Sequence, residues 1–327
     1  MRTVHLLRKL DDKEWGGTET AIVRLFEGLK ENGVESVAYC PRLEHRAGAD
    51  TIGPGCRVKR FRAFIPVFGL SRERRRQLTA VGGNLMSFDL MPSLWRERDA
   101  QIIHTHVLGR LGGLARVVAR RRRIPFVVSI HGGAMDLPEK MRQSIQAARK
   151  EGWEWGRPLG WILGSRELFR DADAIIACNE TEATLLRKSY PDKRVVVQPH
   201  GIPLNVYQKD QRQAALEAFP QIQGRQMLLC LGRIDPIKNQ AWLIDQMPEI
   251  CRKHSKALLV LTGPCTNEPY GQAVDKKIAE LGLKDRVLQT GALPPNDPRL
   301  IGLLQESSAV VLPSVSETFG LIILEAW

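Results

Sequence analysis

At 327 residues, with 43% hydrophobic and 26% charged side chains, the chain has the length for about two domains and the composition of an ordinary globular protein. No apolar run approaches the ~18–20 residues of a membrane-spanning helix, and the short apolar stretch after Met1 is cut by charge too early for a signal peptide. The net charge of +12 points to phosphate, nucleic acid or an anionic membrane as partner, while six cysteines without a C-x-x-C pair argue against a zinc ribbon or disulfide framework and fit a reducing cytoplasm.

Short apolar or β-branched runs alternate with longer amphipathic stretches, the pattern of βαβ units building a parallel sheet. Buried strands are predicted at 3–7, 35–39, 101–105, 126–130, 174–177 and 194–197. The clearest helix is predicted over 18–32, because Ala21, Ile22, Leu25, Phe26 and Leu29 recur at helical spacing, Thr18 can cap the start and Gly33 follows as a stop. Just before it, Gly16 and Gly17 allow a ligand close to the backbone, although a tight turn uses glycines equally well. His131 follows the strand at 126–130. His104 and His106 sit at another strand end, where their side chains are expected to face opposite sides, so that at most one points into a site. His5, His45 and His254 read as ordinary core or surface histidines.

Pro199-His-Gly-Ile-Pro203 marks a turn, and 208–218 reads as a polar helix, so the junction is placed to give domains of 1–205 and 206–327. A second α/β series follows, with strands at 226–231, 257–262, 287–289 and 309–312 and helices around 240–254 and 272–281. A doubly wound domain normally has five or more strands. The second domain is therefore expected to be incomplete at its C-terminal end.

The strongest local signal is Leu231-Gly-Arg-Ile-Asp-Pro-Ile-Lys-Asn239, placed between a strand and a helix, where open α/β sheets bind ligands. Arg233 and Lys238 can converge there on a pyrophosphate, one as a planar fork and the other as a point charge. Taken alone, an R-x4-K pair reads more readily as a solvated turn. The second signal is Pro313-Ser-Val-Ser-Glu-Thr-Phe-Gly-Leu-Ile-Ile-Leu-Glu-Ala326, with Glu317 and Glu325 eight residues apart. If helical, these carboxylates are separated by roughly 10–12 Å, which suits two ends of a nucleotide sugar. Taken alone, Glu317 reads as a charge favoured by a helix N-terminus and Glu325 as a surface position.

Together with Leu258-Leu-Val-Leu-Thr-Gly-Pro264 between them, these segments resemble the retaining glycosyltransferases of family 4, and the resemblance covers nearly the whole chain. It implies the GT-B fold: two doubly wound, Rossmann-like parallel-sheet domains facing across a cleft, the first on the acceptor side and the second binding the nucleotide sugar. It further implies that Arg233 and Lys238 hold the donor diphosphate, that Glu317 lies by the transferred sugar and that Glu325 binds the ribose. Gly232, Phe319, Gly320 and Leu321 belong to the same implied donor site, Gly16 and Gly17 to a glycine-rich loop facing it, and His131 to the contact with the donor sugar. The implied catalytic set is His131, Arg233, Lys238 and Glu317, acting by substitution with retention at the anomeric carbon and without a metal or other cofactor.

Basic runs occur at 57–62, 72–76 and 120–123, all in the first domain. With Phe61, Phe64, Ile65, Val67, Phe68 and Leu70 interleaved, 57–78 reads as an amphipathic surface for an anionic membrane; a solvated charged face is the equal alternative. The first reading suits a cytoplasmic enzyme on the inner face of the membrane, acting on a carbohydrate or lipid-linked acceptor in envelope polysaccharide, lipopolysaccharide or glycolipid synthesis. Two rival readings are a catalytically inactive fragment that binds nucleotide sugar, since family members continue past the position of Trp327, and a basic nucleic-acid-binding protein. The last lacks a stacking platform or recognition-helix pattern, so no nucleic-acid partner is expected.

Overall fold

The structure, a computed structural model, describes residues 1–10, 16–42, 50–51, 57–72, 75, 84–132 and 153–327. Its contacts divide the chain into two compact units, one of 1–10 with 22–200 and one of 11–21 with 201–327.

The sheet of the first unit contains β1 (Arg2–Leu6), β2 (Glu35–Pro41), β3 (Asp50–Thr51), β4 (Arg57–Phe61), β5 (Ile102–Thr105), β6 (Phe126–Ile130), β7 (Ala174–Ala177) and β8 (Val195–Val197). They lie in the order β3-β4-β2-β1-β5-β6-β7-β8, and every neighbouring pair is parallel except β3 with β4. Such strands are covered on both faces, which is why β1 and β2 are buried along almost their whole length. The chain reverses through α1 (Gly17–Glu31), α2 (Leu90–Trp95), α3 (Gly109–Arg122), α4 (Arg157–Ile162), α5 (Leu168–Asp171) and α6 (Glu180–Ser189). Helix α1 buries Ala21, Ile22 and Phe26 as its spacing predicts. It starts at Gly17, so Thr18 lies inside its first turn rather than capping it; the Gly16 carbonyl accepts from Thr20 N at 3.0 Å and Thr20 Oγ1 at 3.1 Å.

Strands β3 and β4 are absent from the sequence-based expectation, because the basic residues of β4 mask an inward-facing Val58 and Phe61. Arg60 of β4 is itself covered, donating to Asp50 Oδ2 at 3.0 Å and to the Leu10 carbonyl at 2.9 Å. The membrane-facing surface expected over 57–78 falls partly on this segment and partly, at 73–74 and 76–78, outside the described residues. Phe61 and Ile65 belong to the core, Phe64, Val67 and Leu70 pack partly against it, and Phe68 remains exposed. The run at 120–123 is also tied down: Arg120 pairs with Asp171, Arg122 donates to the carbonyls of Glu97 and Arg98 at 2.8 Å, and Arg123 ends α3 at φ 57°.

The second unit carries α7 (Leu204–Tyr207), α8 (Arg212–Ala218), β9 (Gln226–Leu231), α9 (Gln240–Lys253), β10 (Ala257–Thr262), α10 (Glu268–Glu280), β11 (Val287–Gly291), α11 (Pro298–Glu306), β12 (Ala309–Val310) and α12 (Leu321–Ala326). Its parallel sheet has the order β11-β10-β9-β12. Central β10 is buried along its whole length. Leu259 and Leu261 pack with Ile244, Met247 and Val274 on one face, while Leu258 and Val260 pack with Leu303 and Ile322 on the other. Alternation along one strand thus supplies two cores, the requirement of a doubly wound unit.

Among the described residues no helix is long and apolar enough to cross a membrane. The five described cysteines are free.

Candidate functional site

In the second unit the chain leaves β9 through Gly232 at φ 154°, beside Gly263, which leaves β10 at φ 147°. A Cβ on Gly263 would lie 2.2 Å from the Gly232 carbonyl oxygen, so only glycine permits this approach. Gly232 N donates to the Thr262 carbonyl at 2.8 Å, and Ile234 N to the Pro264 carbonyl at 2.9 Å. Beyond them, the Asp235 side chain accepts from Ile237 N at 3.0 Å and caps a short 3-10 turn, Pro236–Lys238. Fully buried Gln240 donates to the Arg233 carbonyl at 2.8 Å. The backbone carrying Arg233 and Lys238 is therefore held from both sides.

Strand β12 pairs with β9, which brings the loop after β12 beside this turn. Val315 N donates to the Ile237 carbonyl at 2.9 Å, and Asn239 Nδ2 to the Pro313 carbonyl at 3.3 Å. Lys238 Nζ donates to Glu317 Oε1, which also accepts from Ser314 Oγ at 2.8 Å. The half-buried Arg233 guanidinium has no hydrogen-bond or ion-pair partner among the described residues. A cation held half out of water without a counter-charge, next to a second cation, favours an anion.

Glu317 is not on a helix. Helix α12 begins only at Leu321, after Gly320 in the left-handed region at φ 70°, so the spacing of Glu317 from Glu325 is not that of a helical rise. Phe319, Leu321 and Glu325 are half-buried and Gly320 is buried. Gly17 is assigned with this unit, and a Cβ on it would meet Leu321 Cδ1 at 3.8 Å. The Gly16 carbonyl accepts the first hydrogen bond of α1, from Thr20 N. Sequence reasoning passed over Gly263, Asp235 and Gln240 as contributors here; the Gly-Pro that follows an apolar strand was the available signal for the first.

In the first unit His131 follows β6 and joins a group of histidines. His5 and His104 are cross-strand partners on β1 and β5. The expectation that His104 and His106 face opposite sides is wrong: residues two apart along a strand share a face, and the two rings lie 4.1 Å apart between centroids. His5 Nδ1 meets His106 Nε2 at 3.1 Å, His106 Nδ1 meets His131 Nε2 at 2.8 Å, and His104 Nε2 meets Ser129 Oγ at 2.7 Å. Burial depresses the basicity of every member, bringing His5 to about 3 and His131 to about 4, the latter aided by neighbouring His200.

His5, His104 and His106 offer ligand atoms within 4.8 Å of one another, the one such group among the described residues. A metal would need their lone pairs to converge. Instead, ring planes inclined by only 19° and 21° join His5 to His106 and His106 to His131, with centroids 5.4 and 5.0 Å apart. Each separation exceeds its N···N distance by about one ring width, so the rings meet edge to edge with each N···N line in the ring plane. This is the geometry of a hydrogen-bonded line, and among the described residues no carboxylate adjoins it to offset a divalent charge.

Residues 16–201 match the family profile of the Glycosyl transferase 4-like domain, and residues 212–327 that of Glycosyl transferases group 1. A D-inositol 3-phosphate glycosyltransferase of Nocardia farcinica is 30% identical over 69% of this chain and 49% of its own length. Another of that name, from Streptomyces scabiei, is 29% identical over 95% of this chain and 69% of its own. The chain thus spans about half the length of the first of these relatives. Among solved structures, sucrose-phosphate synthase from Thermosynechococcus elongatus has a TM-score of 0.69 at 17% identity, covering 99% of this chain and 78% of that one. The Anabaena protein HepE in complex with UDP-glucose has a TM-score of 0.67 at 15% identity, covering 100% and 78%. The chain belongs to the glycosyl transferase 4-like family and has its GT-B fold of Rossmann-like parallel sheets.

Proposed function

We propose that the protein transfers a sugar from a nucleoside diphosphate donor to an acceptor hydroxyl with retention at the anomeric carbon. The observation that carries this reading is the pairing of Lys238 with Glu317 beside Arg233, which has no partner among the described residues, all at the C-terminal ends of β9 and β12. On this reading Arg233 and Lys238 bind the diphosphate, Glu317 accepts from sugar hydroxyls and Glu325 from those of the ribose. His131 contributes a contact to the sugar.

The acceptor oxygen attacks the anomeric carbon on the face from which the diphosphate departs. Its new bond to carbon forms as the carbon–phosphate oxygen bond breaks, and its proton passes to the departing diphosphate. Negative charge grows on that leaving group, where two fixed cations stabilise it more than they stabilise the bound donor. These cations take the part a metal plays elsewhere, so transfer is expected without one.

The HepE complex with UDP-glucose supports uridine as the first base to test. Relatives named for D-inositol 3-phosphate support polyol acceptors. The wider role we infer is envelope polysaccharide, lipopolysaccharide or glycolipid synthesis in the cytoplasm at the inner membrane face, supported by the excess of cationic residues.

Melting temperature measured against UDP, GDP, ADP and their sugar conjugates tests the donor site, since a ligand bound only by the folded state raises it. A rise with one nucleotide that vanishes in the Arg233→Ala, Lys238→Ala double variant is expected. A rise that persists in the variant contradicts the assignment.

A further inference from the structure

Thr3, His5, His106 and His131 form one continuous line: Thr3 Oγ1 to His5 Nε2 at 3.0 Å, His5 Nδ1 to His106 Nε2 at 3.1 Å and His106 Nδ1 to His131 Nε2 at 2.8 Å. Every ring nitrogen along it is used except the last, His131 Nδ1, which is buried without a partner among the described residues. Burial keeps these rings neutral at neutral pH, and a neutral imidazole has one N–H and one lone pair. No ring can choose its tautomer alone; fixing one fixes all three.

Two settings satisfy the line. In the first, each ring donates toward His131, and the final N–H, on Nδ1, is left buried without an acceptor. In the second, each ring donates toward Thr3: His131 Nε2–H to His106, His106 Nε2–H to His5 and His5 Nε2–H to Thr3 Oγ1. The Thr3 proton then goes to Ser36 Oγ at 2.9 Å or toward the Glu35 carbonyl at 3.5 Å. This setting ends on an acceptor and leaves only a lone pair unmet. An orphaned buried N–H is the rarer outcome in folded proteins.

We propose that Thr3, His5 and His106 are positioning residues that hold His131 in its Nε2–H form, so that Nδ1 is presented as an acceptor to a hydroxyl of the transferred sugar. The sugar contact rests on the function proposed above; the setting of the tautomer does not.

The test reads the ring nitrogens of His131 by 15N NMR in the full chain without ligand, with the signals assigned by their loss in His131→Gln. Wild type is expected to carry the proton on Nε2. Thr3→Val is nearly isosteric and removes the terminal acceptor three hydrogen bonds away, and it should move population toward Nδ1–H, while Thr3→Ser should restore the wild-type form. If Thr3→Val does not fold, His5→Leu breaks the line one ring earlier and should give the same shift. A wild-type His131 protonated on Nδ1, or one whose tautomer is unchanged in folded Thr3→Val or His5→Leu, overturns the proposal. Kinetics separate its second half: KM for the sugar donor should rise several-fold in Thr3→Val while affinity for the bare nucleoside diphosphate stays the same. A tautomer shift with an unchanged donor KM removes the sugar hydroxyl as the ligand of Nδ1. Failure of wild type to bind any nucleotide counts against the proposed function and leaves the NMR result standing.

Discussion

Lys238 donates through Nζ to Glu317 Oε1, tying the turn after β9 to the loop after β12. Both side chains retain contact with solvent, 22% and 27% exposed. Exposed or half-exposed pairs contribute about 0–1 kcal/mol to stability. Glu317→Gln should therefore leave the urea midpoint within that margin while lowering kcat/KM for the sugar nucleotide by about 10–100-fold, because each ~1.4 kcal/mol of lost transition-state stabilisation is tenfold in rate. Chemical denaturation beside steady-state kinetics checks the split.

Arg233→Ala removes a guanidinium that has no partner among the described residues, so folding should lose little while, on the proposed function, the diphosphate loses a bidentate contact. A fall in kcat of about 10²–10³ is expected, the scale for one preorganised charge-stabilising group. Arg233→Lys should recover only part of it, since a point charge does not reproduce the fork.

Gly263→Ala inserts a methyl group 2.2 Å from the Gly232 carbonyl oxygen at a backbone angle of φ 147°. The turn carrying Arg233 must shift. Donor affinity should fall together with stability, the latter by about 1–3 kcal/mol, a range set by backbone strain. Calorimetric titration with nucleotide and thermal melting provide the two readings.

Stability should also fall in acid, in two windows. Buried His5 and His131 titrate at about 3 and about 4 against an ordinary 6.5. The unfolded chain therefore binds protons that the folded chain refuses, and stability present above about pH 6.5 is lost as pH falls toward 4. His106→Asn removes one such group and should flatten that slope. At lower pH Glu97 adds to the loss. Burial raises its pKa, but hydrogen bonds from Lys59 and Tyr39 and the charge of Arg2 outweigh this and hold the carboxyl below its ordinary 4.5. Its contribution is present above that value and disappears as pH falls through the lowered pKa. Melting curves from pH 7 to pH 3 follow both.

The fold was legible where burial alone decides structure. Strands β9 and β10 are apolar runs whose observed bounds, Gln226–Leu231 and Ala257–Thr262, match those read from sequence. Strand β4 was missed because Arg60 is buried by pairing with Asp50, and a tertiary partner leaves no local trace. The turn bearing Arg233 and Lys238 was visible from its place between strand and helix. The loop position of Glu317 was not, since Gly320 at φ 70° delays the helix that the downstream apolar residues suggest. The histidine line was hidden for a topological reason: β1 pairs with β5 across about 100 residues, bringing His5 opposite His104 and within hydrogen-bond reach of His106.

The most direct measurement is release of nucleoside diphosphate from UDP-, GDP- and ADP-sugars in the presence of a polyol acceptor panel, followed by NMR of the anomeric proton in the product. Turnover with one donor, retained anomeric configuration and loss of at least 10²-fold in Arg233→Ala are the predicted result. Inverted product, or turnover indifferent to Arg233 and Lys238, would contradict it.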